Sequence, residues 1–179
     1  AKQFGTEPVL VLTPFGTDGQ FNNLLINSVV NNPQYTENLI ENLLYLMDEK
    51  NYDDAFDCFQ VSAKRGNLKS TYYLAKCYQS GLGCPKNQTL AFKLFKIVSG
   101  EGDFLSLYEL GLCYLYGLGV EKNPKEAFVC FVACKEQGIL EANDALACCM
   151  LSGIGTPVNE EAAVRLFEYG VSKKIPSSY

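Results

Sequence analysis

The 179-residue sequence contains no histidine. That absence removes His-dependent catalytic triads, His-ligated zinc and the usual proton shuttle of neutral pH. Long apolar runs are missing as well. The stretches around Pro8–Val11 and Leu24–Val30 fall far short of the roughly 20 residues a bilayer span requires, so no membrane insertion is expected. Nor is there a net basic field: a formal charge of −5 and a pI near 4.8 leave nothing overall to condense on a phosphate backbone, and nucleic acid is not an expected partner. No Cys-x-x-Cys pair occurs, so no structural metal site is expected. The amino end, Ala1-Lys2-Gln3-Phe4-Gly5, has neither an initiator Met nor a signal-peptide build, which suggests processing or excision and context missing upstream. What remains, 47% hydrophobic and 20% charged residues, is the composition of a globular chain able to build a sizeable core.

The sequence is also periodic. Gly81-Leu82-Gly83, Gly117-Leu118-Gly119 and Gly153-Ile154-Gly155 recur at a step of 36 residues. Ala55, Ala91, Ala127 and Ala163 keep the same step, as do Phe59, Phe95, Phe131 and Phe167, then Leu74, Leu110 and Leu146, then Gly66, Gly102 and Gly138. A fixed period of this length predicts stacked repeats. Leu74-Ala75-Lys76-Cys77-Tyr78 and its copies space apolar residues three and four apart, the stripe of an amphipathic helix ending at the Gly-x-Gly turn. A second helix begins near Asn87, Asn123 or Asn159, each an N-cap candidate, and Pro124 suits the first helical position. Its core stripe is Ala91, Leu94, Phe95 and Val98, repeated as Ala127, Cys130, Phe131 and Cys134. Small Ala lets the paired helix approach, and Phe fills the gap between units. No unit buries such faces alone, so the expected fold is all-α, a solenoid of antiparallel helix pairs. Residues 1–35 form an N-terminal extension, partly irregular, with a short helix expected near 20–30. Residues 36–179 form the repeat domain: a degenerate hairpin at 36–66, units at 67–102, 103–138 and 139–171, and a tail at 172–179.

The columns resemble the Sel-one-like repeat (SLR), a relative of the tetratricopeptide repeat, with the pattern Leu-Gly-x-x-Tyr, Gly-x-Gly-Val, Ala-x-x-x-Phe, Ala-x-x-Gly. Leu110-Gly111-Leu112-Cys113-Tyr114, Gly117-Leu118-Gly119-Val120, Ala127 to Phe131 and Gly138 carry the resemblance best. It covers Lys69 to Gly170 well and Thr36 to Gly66 loosely. It implies a right-handed superhelix acting as an adaptor or scaffold surface, without naming the cargo.

Chemistry is hard to place on these residues. The dinucleotide fingerprint needs a third Gly where Lys86, Lys122 and Val158 stand. Some relatives have been called β-lactamases, yet Ser62, Ser70 and Ser172 are followed three on by Arg65, Tyr73 and Ile175 and never by the Lys that a Ser-x-x-Lys nucleophile needs. Glu160 and Glu161 sit in a first helical turn, where they complement the macrodipole. No catalytic residue and no cofactor are expected. A secreted branch of the resembled family carries a disulfide in each unit, but the eight cysteines here do not pair at matching columns and read as small core hydrophobes. Cys134 with Cys148 is the pair to watch. Reduced thiols point to a cytoplasmic location, with the ER lumen or secretion as alternatives. Asn87-Gln88-Thr89 is a glycosylation sequon whose Asn shares the capping column.

By analogy with tetratricopeptide geometry, the first helix of each pair lines the concave face. The residues facing the groove are then Lys69, Tyr72, Lys76, Gln79 and Ser80, next Leu105, Tyr108, Leu112, Leu115 and Tyr116, and last Glu141, Asp144, Cys148, Leu151 and Ser152. The groove grades from basic through apolar and aromatic to acidic. Its expected occupant is an acidic-amphipathic peptide or helix anchored on Tyr108, Leu112 and Tyr116, or else residues 7–15 of the chain itself. From Cys58 to Gly100 there are seven basic and no acidic residues, a band including Lys64, Arg65 and Lys86 that reads as unmatched by counter-ions and suits an acidic or phosphorylated segment. The expected function is a non-enzymatic protein-interaction module. The alternative is the C-terminal regulatory or substrate-docking domain of a larger enzyme.

Overall fold

The computed structural model describes residues 52–174, and caps, turns and apolar stripes divide these described residues into seven α-helices. They are α1 (Tyr52–Lys64), α2 (Leu68–Ser80), α3 (Gln88–Gly100), α4 (Phe104–Tyr116), α5 (Pro124–Glu136), α6 (Glu141–Ser152) and α7 (Glu160–Lys174). Among the described residues there is no strand. The first helix of the 36–66 hairpin, the expected helix near 20–30 and the segment 7–15 lie outside the described residues. At the other end α7 continues to Lys174, three residues past the expected end of the last unit.

The capping column works as its chemistry dictates. Asn87, Asn123 and Asn159 each accept a hydrogen bond through the side-chain oxygen from the backbone N–H three residues on, at 3.0, 3.3 and 3.0 Å. Pro124 sits at the start of α5. On the first helices, Asn67 and Asp103 cap α2 and α4 in the same way, accepting from Ser70 and Ser106 at 2.8 and 2.7 Å. The column then lapses. Ile139 stands one repeat after Asp103, and α6 starts without a side-chain cap.

Packing runs between consecutive helices, as a stack of hairpins requires. Ala55, Ala91, Ala127 and Ala163 and Phe59, Phe95 and Phe131 are all buried. Phe131 sits with Ala127 in a cluster with Leu146, Ala147 and Cys149 of the next hairpin, so one ring fills the seam between units. Phe56 meets Tyr78 edge-on at 5.4 Å across the α1–α2 seam, and Phe92 meets Tyr114 at 5.4 Å across the α3–α4 seam one repeat later. Phe167, the last ring of the column, is only half-buried, since no described helix follows α7. Cys77, Cys113 and Cys149 occupy equivalent buried positions, and all eight cysteines are free. Cys134 is buried with its thiol 3.4 Å from the Phe104 carbonyl, whereas Cys148 is exposed, so the pair singled out in the sequence is not joined.

The second glycine of each Gly-x-Gly turn locks neighbouring units. Gly119 has φ +73°, and a Cβ there would fall on the Gln88 carbonyl and 2.6 Å from the Thr89 nitrogen, at the start of α3 in the preceding unit. Gly83 and Gly155 repeat this approach against Tyr52 and Pro124. Helix packing, not phosphate binding, is the reason for these glycines.

Candidate protein-interaction surface

The first helices reach one another through side chains: Lys76 of α2 meets Glu109 of α4, and Leu112 and Leu115 of α4 pack on the core that holds Leu146 and Ala147 of α6. An open cleft of about 420 Å3 lies between the start of α2 and the turn from α3 into α4, lined by Lys69, Tyr72, Tyr73, Glu101, Asp103 and Leu105 among others. Three of the predicted groove residues, Lys69, Tyr72 and Leu105, are thus brought together. Lys69 is exposed on its wall, while Tyr72 is half-buried with its ring 5.9 Å from Phe95 and 5.2 Å from Tyr73. Burial first, and then the Glu109 carboxylate, pushes the Tyr72 phenol up to about 12. It remains a neutral donor at physiological pH.

Lys76 does not face the groove as a free cation. Its ammonium lies 2.8 Å from Glu109 of α4, whose second oxygen accepts from Gln79 at 3.2 Å. The Glu109 side chain is only 11% exposed, so this pair is a partly desolvated bolt between successive first helices. The expectation of seven cations without a counter-ion is corrected at this position: Lys76 is matched by a carboxylate 33 residues on. Glu109 was missed because it adjoins the core Leu110 and so fell between the groove offsets.

On the far side of α4, Tyr108 is half-buried, its ring 5.5 Å from Phe131. Its phenol is raised by burial first, then by the negative charges of Glu109, Glu141 and Asp144, and then by Tyr116. Leu112 and Leu115 are half-buried against the core of the last unit. Of the large apolar residues predicted for the groove, Leu105 at 49%, Tyr116 at 59% and Leu151 at 44% stay exposed, and Lys69, Ser80, Glu141, Cys148 and Ser152 are exposed with them. Apolar surface of this kind, aligned along one face, is the usual mark of a contact.

The basic band is not one patch. Lys64 and Arg65 are exposed just before α2, and Lys86 is exposed beyond its end, so the length of α2, about 20 Å, separates them. No described helix is long and apolar enough to cross a membrane.

Comparison with known proteins agrees with the fold. The family model for the Sel1 repeat matches residues 44–67, 68–97, 105–132 and 140–173, more than half of the chain. A crystal structure of a Sel1 repeat protein from Oxalobacter formigenes superposes with a TM-score of 0.64 at 24% identity, over 68% of this chain and 49% of that one. A protective antigen of uropathogenic Escherichia coli displaying an SLR fold superposes at 0.62 and 24% identity, over 68% of this chain and 26% of the antigen. The chain therefore spans about half of one neighbour and a quarter of the other, and the likeness is one of fold. No curated protein matches the chain.

Proposed function

We propose, for a chain that belongs to the Sel1 repeat family, that the groove of α2, α4 and α6 captures a peptide or helix of a protein partner, making the chain an adaptor. Sel1 repeats generally mediate protein–protein interaction, and the family is generally a non-catalytic scaffold. One observation carries the reading on this face: Leu105, Tyr116 and Leu151 stay exposed on α4 and α6, while Tyr108, Leu112, Leu115 and Met150 of the same helices are packed against the core. Water-exposed Leu and Tyr in a line bind most favourably to another apolar stripe.

Leu105→Ala with Tyr116→Ala tests the assignment. Both side chains are about half exposed, so their loss leaves the core intact, whereas Tyr108 and Leu112 would confuse binding with stability. The control is Ile97→Ala with Val129→Ala, at 58% and 61% exposure on the second helices. Affinity capture with the full chain should lose its partners for the first pair and keep them for the second. The reverse pattern would move the binding site to the second-helix face.

A further inference from the structure

We infer that the cleft at the start of α2 seats one bulky aromatic side chain of a partner's peptide segment, with an acidic residue of that segment beside Lys69 and a basic one beside Glu101. The inference rests on the groove reading above and names where on that face the partner is anchored and by what. Leu68 of α2 and Leu105 of α4 both line the cleft while 40% and 49% exposed, with Tyr72, Tyr73 and Val98 between them. Its volume of about 420 Å3 falls low in the range of roughly 300 to 1,000 Å3 usual for ligand pockets, which suits a large side chain and the backbone that carries it. Lys69 and Glu101 line the same cleft and are exposed, and among the described residues neither side chain has a hydrogen-bond or ion-pair partner. Asp103 is not offered in this way, because its carboxylate caps α4. The charges left for a ligand are therefore one of each sign.

The preference for a ring comes from the rings already there. Phe59 stacks on Tyr73 at 5.3 Å, Tyr73 meets Tyr72 edge-on at 5.2 Å, and Tyr72 tilts against Phe95 at 5.9 Å, so four rings follow one another from α1 to α3. The two tyrosines of this series line the cleft, and an incoming ring gains an aromatic pair beyond the apolar area it buries. The combination belongs to one interval of the solenoid. One and two repeats on, Tyr72-Tyr73 becomes Tyr108-Glu109 and then Asp144-Ala145, and one repeat after Leu105 stands Glu141. A single anchor therefore fixes the register of a segment lying along the groove, as a few buried aromatics do at other interfaces. The two charges fix its direction, since a reversed segment sets acid against Glu101 and base against Lys69.

The test titrates short fluorescein-labelled peptides against the full chain by anisotropy. Each has a central Phe with Lys and Glu two residues to either side, in both orders, and a control has Ala for the Phe. One order should bind better than the other, and the Ala control should bind at least tenfold more weakly than either. Lys69→Met with Glu101→Gln, which leaves the net charge unchanged, should weaken the better peptide roughly fivefold, and Leu105→Ala roughly tenfold. Lys86→Met with Glu121→Gln, the same exchange at exposed positions outside the cleft, should change nothing. Binding that ignores Leu105→Ala, or that both charge pairs weaken equally, overturns the cleft as its seat. Tyr116→Ala alone, at the far end of α4, should leave the peptide bound, so a failure of the anchor reads out at Leu105 and a failure of the groove in partner capture. No binding by any of these peptides, while Leu105→Ala with Tyr116→Ala still abolishes capture, overturns the anchor and leaves the groove standing. Displacement of the label by an unlabelled peptide of residues 7–15 at a lower concentration than by its own unlabelled copy makes the chain its own occupant and overturns the external partner. Dimers in sedimentation that the peptide dissociates do the same in favour of a second copy.

Discussion

Replacing Gly119 by alanine isolates what holds successive hairpins at a fixed angle. Two penalties apply there. At φ +73° an L-residue costs about 1 to 2 kcal/mol of backbone strain, and the new Cβ lands on the Gln88 carbonyl, adding an overpacking cost of about 1 to 3 kcal/mol because backbone cannot step aside as a side chain can. Gly102 separates the two: its φ is +90°, yet nothing lies within 4 Å of its Cβ position. Gly102→Ala should therefore cost about 1 to 2 kcal/mol, and Gly119→Ala about 2 to 5 kcal/mol. Urea unfolding followed by far-ultraviolet circular dichroism reads the difference. With a slope of roughly 1 to 3 kcal/mol per molar, the excess moves the midpoint by on the order of 1 M. Repeat stability is a sum of unit and interface terms, so damage at the interface should also flatten the transition as units uncouple. Equal midpoints for the two variants would refute the lock and leave only glycine's backbone freedom.

Equivalent serines one repeat apart should respond with opposite sign. Ser70 donates to Ser62 at 2.8 Å, but Ser106 is buried without a partner because Val98 occupies the corresponding place. Ser70→Ala should lower stability by about 1 kcal/mol and Ser106→Ala should raise it by about as much, both read from urea midpoints. Lys76→Met strands the Glu109 carboxylate and should cost about 1 to 3 kcal/mol, most of which Lys76→Met with Glu109→Leu should recover in a double-mutant cycle. Burial pushes the Cys77, Cys113 and Cys134 thiols from 9.0 to about 11, with Glu109 adding to the shift at Cys113. The fold thus favours their neutral form, and the stability this adds is full below pH 9 and lost as pH rises toward about 11. A urea midpoint that stayed level across that interval would contradict the burial of these thiols.

Most of the fold was legible because a repeat writes the same physics several times. Asn87, Asn123 and Asn159 announce three helix starts, the paired glycines announce three turns, and the Ala and Phe columns announce the seams, so each residue is checked by its copies. Departures are legible in the same way. Ile139 breaks the Asn67–Asp103 capping column, and α6 duly begins one residue later in its repeat than α2 and α4. Val98 breaks the Ser62 column and leaves Ser106 without an acceptor.

The groove was less legible because its chemistry lies between units, where columns do not reach. Reading offsets helix by helix assigned Lys76 to solvent and passed over Glu109. Yet side chains crossing from one first helix to the next do not meet their own equivalents; Lys76 meets the residue one helical turn before Leu112, its copy, at a separation of 33. The same stagger, applied to Tyr72, points to Leu105, and both line one cleft. A search for opposite charges one repeat less one turn apart would therefore have found the bolt without coordinates. It would also have withdrawn Lys76 from the residues offered to a ligand, because its charge is already matched inside the fold.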